Sequence, residues 1–153
     1  MKLTDILVND AVTADLQAQE RDEAVAELVD RLVEADAIDS KLRDALVEQI
    51  LEREKRGSTG FGKGVAVPHV KHEDLDEMYA VIGVSQTGVD FNALDKEPVY
   101  SIVMLLSPDD NPEEHLSTME DIFSRLQNDQ FRSFLRQATE KKHILDLIKE
   151  HED

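Results

Sequence analysis

The sequence contains no cysteine and no tryptophan, and only two tyrosines and five phenylalanines. Without thiols there are no disulfides, zinc–thiolate centres or cysteine nucleophiles. So few aromatics provide no platform on which bases stack. Cations are also scarce. Seventeen Lys and Arg stand against 34 Asp and Glu, a formal net charge of −17, which repels phosphate backbones and argues against a nucleic-acid partner. Long apolar runs are missing too. The longest are strand-sized, well short of the ~20 residues that cross a bilayer, so no direct membrane insertion is expected. Met1-Lys2-Leu3-Thr4-Asp5 carries no apolar export segment, and a cytoplasmic location is expected.

What is present is a 153-residue chain that is 41% hydrophobic, enough for one folded acidic domain. The four prolines are scattered, and no repeat or linker interrupts the chain. Val25, Leu28, Val29, Leu32 and Val33 predict a helix over 22–34. A second helix is predicted from Ser40, as N-cap, to a glycine stop at Gly57, with the stripe Leu42, Leu46, Ile50 and Arg53. Val65-Ala66-Val67 is a short strand ended by Pro68. Residues 79–85 and 99–106 are longer strands, the latter apolar on both faces and therefore central. Asn111-Pro112-Glu113-Glu114 opens a capped helix with a stripe of Leu116, Met119, Ile122, Phe123 and Leu126. Helices over 130–138 and 140–150, the second capped by Thr139, close the chain. The mixture predicts an α/β fold with helices on a buried sheet.

Charge singles out one region. Residues 53–72 hold five cations, Arg53, Lys55, Arg56, Lys63 and Lys71, and one carboxylate, Glu54; this window is +4, which leaves −21 on the rest of the chain. The same window contains Gly57-Ser58-Thr59-Gly60-Phe61-Gly62-Lys63-Gly64, with four of the six glycines. Glycine-rich loops let backbone N–H groups converge on phosphate oxygens. A nucleotide-binding P-loop is excluded: Gly64 stands where a magnesium-binding Ser or Thr belongs, and the loop runs from helix into strand. His69 follows the loop at a strand end, where reactive side chains gather. His115 sits in the first turn of the capped helix, whose positive end disfavours imidazolium. Arg53 either satisfies the terminal carbonyls of its helix or aims its fork of donors at a phosphoryl group. His143 and His151 read as surface residues. His69, His72 and Glu73 have a spacing that arises by chance, and no metal or other cofactor is expected.

The run from Arg53 to His69, an Arg-Glu pair leading into Gly-Ser-Thr-Gly and an alternating strand ending in Pro-His, resembles the signature of the fructose/mannitol-type enzyme IIA proteins. These belong to the bacterial phosphoenolpyruvate-dependent sugar phosphotransferase system, and the group includes the nitrogen-regulatory IIA proteins. Gly88-Val89-Asp90-Phe91 and Glu114-His115-Leu116 fit as well, so the resemblance covers nearly the whole chain. It implies a single IIA domain over 1–153, with a mixed sheet flanked by helices on both sides. It implies that His69 accepts a phosphoryl group on Nε2 from the phosphocarrier protein HPr and passes it to a IIB partner, or that its phosphorylation state controls regulatory protein targets. Arg53 and His115 take the assisting positions, and Ser58, Thr59 and Gly60 form the phosphoryl-binding loop. Val70 stands where the family commonly has a small residue.

Overall fold

In the computed structural model, which describes residues 2–151, helices α1 (Leu3–Ile6), α2 (Arg21–Glu34) and α3 (Arg43–Arg56) come first. Strands β1 (Val65–Ala66), β2 (His69–His72), β3 (Tyr79–Val89) and β4 (Val99–Pro108) follow, then α4 (Pro112–Leu126), α5 (Asp129–Arg136) and α6 (Lys141–Glu150). The doubly apolar β4 lies at the centre of the sheet, as its composition requires. It pairs antiparallel with β3 and parallel with both β1 and β2. Val65 pairs with Ser101 and His69 with Leu105, the same sequence offset, so β1 and β2 are two halves of one extended run.

The interruption falls at Val67-Pro68. Pro68 has no N–H for the ladder, yet its carbonyl still accepts the Leu105 N–H at 3.1 Å. The sequence reading ended the strand at Pro68. In fact His69 opens β2, because the register resumes at once on the far side of the proline.

The sheet is covered on both faces, in agreement with the expected fold class. Val25, Leu28, Leu32, Leu46 and Ile50 of α2 and α3 pack with Val81, Ile102, Met104 and Leu106. Ile6, Ile122, Leu126, Leu135 and Ile144 of the other helices pack with Ile82, Val84, Val103 and Leu105. The N-terminal segment, for which the sequence predicted no element, runs along the outer edge of β3. It makes parallel bridges Leu7 to Ala80, Thr13 to Gly83 and Glu20 to Asp90, which shield the edge from other strands.

The helix ends differ in detail from expectation. Asn111 caps α4 by accepting the Glu114 N–H at 3.3 Å. The Glu114 carboxylate returns to the Asn111 side-chain amide at 2.7 Å, not to its backbone. Asp39, not Ser40, caps the single 3-10 turn Ser40–Leu42 that precedes α3. Glu140 occupies the cap position of α6 without a side-chain bond, while the Thr139 N–H goes to His143 Nδ1 at 3.2 Å. Leu116 is 60% exposed and outside the core. The buried face of α4 runs through His115, Met119, Ile122 and Leu126, and one residue's rotation carries Leu116 off it.

Candidate functional site

The strand order decides where chemistry can sit. β2 and β4 run parallel, and the open space beyond the carboxyl ends of parallel strands is where α/β proteins bind ligands. Three elements meet alongside β2, in the half of the sheet toward those ends. The last turn of α3 brings Arg53 and Arg56, β2 brings His69 and Lys71, and the first turn of α4 brings His115. All five line one cleft of about 480 Å³. Lys63 faces a different cleft, so the basic window is divided by the fold.

His69 Nδ1 lies 2.8 Å from the Val67 carbonyl oxygen. A carbonyl only accepts, so Nδ1 carries the proton and Nε2 keeps a lone pair. Burial holds the His69 pKa below its ordinary value, and the nearby Arg53 and Lys71 charges add to this against the Val67 bond. At neutral pH the ring is therefore a neutral nucleophile.

The His115 ring is tilted 49° to that of His69, with centroids 5.6 Å apart. Its Nδ1 is 2.6 Å from Ser107 Oγ, on β4 opposite Lys71 of β2. The sequence reading attributed a neutral His115 to the helix end. The structure supplies a larger cause: burial, then His69 and Lys71, push its pKa down to about 4. This has a consequence for stability. Below pH 6.5 the unfolded chain binds a proton that folded His115 refuses until about pH 4. Stability should therefore fall as pH drops through that window, by roughly 3 kcal/mol in full for this one group. Denaturant titrations from pH 7 to 4 check it, with His115→Gln flattening the slope; an unchanged slope in the variant contradicts the assignment.

Arg53 satisfies a carbonyl at the end of its helix, the first of the two roles the sequence allowed, and also faces the cleft. Its Nη1 donates to the Gly57 carbonyl at 2.7 Å, and the same side chain lines the cleft. One nitrogen fixes the guanidinium while the other donors of the planar fork remain for a ligand.

Sequence reasoning gave Glu54 no role of its own, noting it only as a charge and as part of the Arg-Glu pair. The residue is 2% exposed, and its carboxylate accepts the Thr59 N–H at 2.8 Å and the Thr59 hydroxyl. The signal was available: a carboxylate one residue before the end region of a helix, followed by a Ser-Thr pair between glycines. Glu54 ties the loop to α3. Glu54→Ala leaves two buried donors without a partner, at ~1–3 kcal/mol each. Equilibrium unfolding should show a loss of about 2 kcal/mol or more, and a change within ~0.5 kcal/mol contradicts this anchoring role.

The expected loop residues Ser58, Thr59 and Gly60 are not among the lining of the cleft. Thr59 and Gly60 are buried, and the Gly60 N–H donates to Ser58 Oγ at 3.0 Å. With the Thr59 and Gly60 N–H groups engaged, the Ser58 hydroxyl proton is the side-chain donor this tripeptide retains. His72 Nδ1 accepts the Asp74 N–H at 3.0 Å. Among the described residues no three His, Asp or Glu side chains converge as metal ligands. His143 and His151 are exposed; the His151 ring meets the Phe131 ring edge-on at 5.4 Å.

Residues 5–151 match the family described as phosphoenolpyruvate-dependent sugar phosphotransferase system, EIIA 2. The chain is 29% identical over 152 residues to a fructose-specific EIIABC component of Bacillus subtilis; the match covers 99% of the chain but 24% of that longer protein. It is 32% identical over 127 residues to a fructose-specific EIIA component of Haloferax volcanii, covering 83% of the chain and 81% of the relative. A nitrogen regulatory protein of Pseudomonas aeruginosa is 35% identical over 127 residues, covering 82% and 79%. The crystal structure of nitrogen regulatory protein IIA-Ntr from Neisseria meningitidis superposes with a TM-score of 0.84 at 24% identity, covering 94% of this chain and 97% of that one, and so shares the fold.

Proposed function

The chain belongs to the phosphoenolpyruvate-dependent sugar phosphotransferase system EIIA 2 family, and on that premise we propose that it is a phosphoryl carrier working through His69. The Nε2 lone pair of His69 attacks the phosphorus of phospho-HPr. The new N–P bond forms as the donor's N–P bond breaks, and the released electron pair returns to the donor ring. No proton has to leave Nε2, because the ring proton is on Nδ1 and stays bonded to Val67. In the return half of the cycle a nucleophile on a IIB partner takes the group from Nε2.

Phosphoryl transfer is largely positioning and stabilisation of charge on the equatorial oxygens. The remaining Arg53 donors serve that end. In the tautomer whose Nδ1 accepts from the Ser107 hydroxyl, 2.6 Å away, His115 presents a neutral N–H from Nε2. The loop Ser58-Thr59-Gly60 lies outside the lining of the cleft, and the Ser58 hydroxyl is the donor it retains for an incoming phosphoryl group. No metal or other cofactor is needed for these steps. We read residues 1–153 as one IIA domain acting in the cytoplasm; among the described residues no helix is long and apolar enough to cross a membrane.

The observation that carries the reading is the neutral His69 with Nε2 free, in a cleft shared with Arg53 and His115. Incubation with phosphoenolpyruvate, enzyme I and HPr tests it. Intact-mass analysis should show one added phosphoryl group; an unmodified chain alongside fully phosphorylated HPr contradicts it.

A second reading has support of its own. A relative named as a fructose-specific EIIA component and one named as a nitrogen regulatory protein match at similar identity. In the regulatory reading, phosphorylation of the same His69 controls which protein docks over the cleft. Genome context separates the two: an adjacent fructose or mannitol permease favours uptake, and an adjacent sigma-factor or kinase gene favours regulation.

A further inference from the structure

A second cleft, of about 560 Å³, opens at the opposite end of the sheet. It lies where β4 begins, at Tyr100 and Ser101, whereas His69 pairs with Leu105. Four residues of strand, ~13 Å, separate the two levels. The cleft is walled by the loop before β1, by β3 and β4, and by α5.

Its charge is unusual for this chain, which has twice as many carboxylates as cations. Arg132, Arg136 and Lys63 line it with one carboxylate, Asp129. Arg132 is committed: it is ion-paired with Asp129 and donates to the Leu126 carbonyl at 2.7 Å. Lys63 Nζ and the Arg136 guanidinium have no ion-pair partner among the described residues. In so acidic a chain, two cations outside any ion pair among the described residues, lining one concavity, need an explanation.

Arg136 is also held in place. Its guanidinium carbon lies 3.6 Å over the centroid of the Tyr100 ring. Stacking on the ring face fixes the guanidinium plane and leaves the N–H edges available. Tyr100 in turn is seated against two glycines in the left-handed region, Gly64 (φ 77°) and Gly88 (φ 96°). A Cβ would come within 3.4 Å of the ring at Gly64 and 3.2 Å at Gly88. Gln86 is fixed as well, donating from Nε2 to the Ala14 and Ala138 carbonyls at 2.8 and 3.0 Å, which leaves its own amide oxygen as an acceptor.

We propose that this cleft is a binding site for a small organic phosphate bearing hydroxyl groups, with Arg136 and Lys63 taking the phosphate and Gln86 accepting from a hydroxyl. A planar donor fork on a rigid support suits a phosphate, and a fixed amide acceptor suits an alcohol. The site is separate from the His69 cleft and does not depend on the phosphoryl-carrier reading.

The test is a titration of the 15N-labelled chain with glycerol 3-phosphate, followed by amide chemical shifts, with glycerol and inorganic phosphate as the other arms. Saturable shifts should centre on Gly64, Tyr100, Ser101 and Arg136. Glycerol should give none, and inorganic phosphate should bind the same residues more weakly. Arg136→Gln and Lys63→Gln should each weaken binding ~10-fold or more while the melting temperature stays close to that of the parent. Absence of saturable shifts at millimolar ligand overturns the proposal. So do shifts centred on His69 and His115 that survive Arg136→Gln. Equal binding of inorganic phosphate and glycerol 3-phosphate overturns the role given to Gln86.

Discussion

His69→Ala is expected to take up no phosphoryl group from phosphoenolpyruvate through enzyme I and HPr, while the parent chain takes up one. The substitution removes the only ring in the cleft whose Nε2 lone pair is set by a backbone bond, Nδ1 to the Val67 carbonyl at 2.8 Å. It should leave the fold standing, because His69 is half-buried at the edge of the sheet and is absent from both apolar clusters. His115→Ala is the informative companion. It should still become phosphorylated at His69 but hand the group on slowly, since it loses a donor and not the acceptor. Label should be stable in alkali and labile in acid, as expected of a phosphoramidate. Undiminished labelling of His69→Ala would place the acceptor elsewhere.

Arg53→Gln should slow phosphoryl transfer ~10²-fold or more, the scale on which removal of one preorganised charge-stabilising donor is felt. The bond from Arg53 Nη1 to the Gly57 carbonyl is exposed, and its loss should cost no more than ~1 kcal/mol of stability. Arg53→Lys separates charge from geometry: it keeps the cation but loses the planar fork, and should fall between the parent and Arg53→Gln. Rapid-quench transfer rates, read beside denaturant unfolding, decide the matter. A variant that melts early yet transfers at the parental rate makes Arg53 a helix-end residue and nothing more.

The sequence showed most clearly those features that are periodic or locally capped. The stripes of α2 and α3 and the doubly apolar β4 each declare their surroundings through spacing alone, and Asn111-Pro112 marks the start of α4 by its own hydrogen bonding. Features that depend on distant partners were not legible. β2 is four residues long with no fully buried residue, and it exists because β4 offers a register that continues past Pro68. The N-terminal segment contacts β3 through isolated bridges, which have no sequence period. Leu116 was misplaced because an apolar residue beside a buried histidine looks like part of the same stripe.

The candidate site divides in the same way. The glycine loop and the Pro-His run drew attention to His69 and Arg53 without any structure. That His115 lies next to His69 follows from the parallel pairing of β2 with β4, which no local pattern reveals. Glu54 was given no role, although its carboxylate is buried against Thr59, because a carboxylate on a helix is ordinarily exposed and its burial depends on a loop partner that no local pattern reveals.

The central claim is that Nε2 of His69 bears the phosphoryl group while Nδ1 keeps its proton on the Val67 carbonyl. A long-range 1H–15N correlation spectrum of the phosphorylated, 15N-labelled chain, with phosphorus coupling, reads this directly. It should show phosphorus coupled to Nε2 of His69, a protonated Nδ1 on the same ring, and an unmodified His115. Phosphorus coupled to Nδ1 of His69, or to either nitrogen of His115, would contradict it.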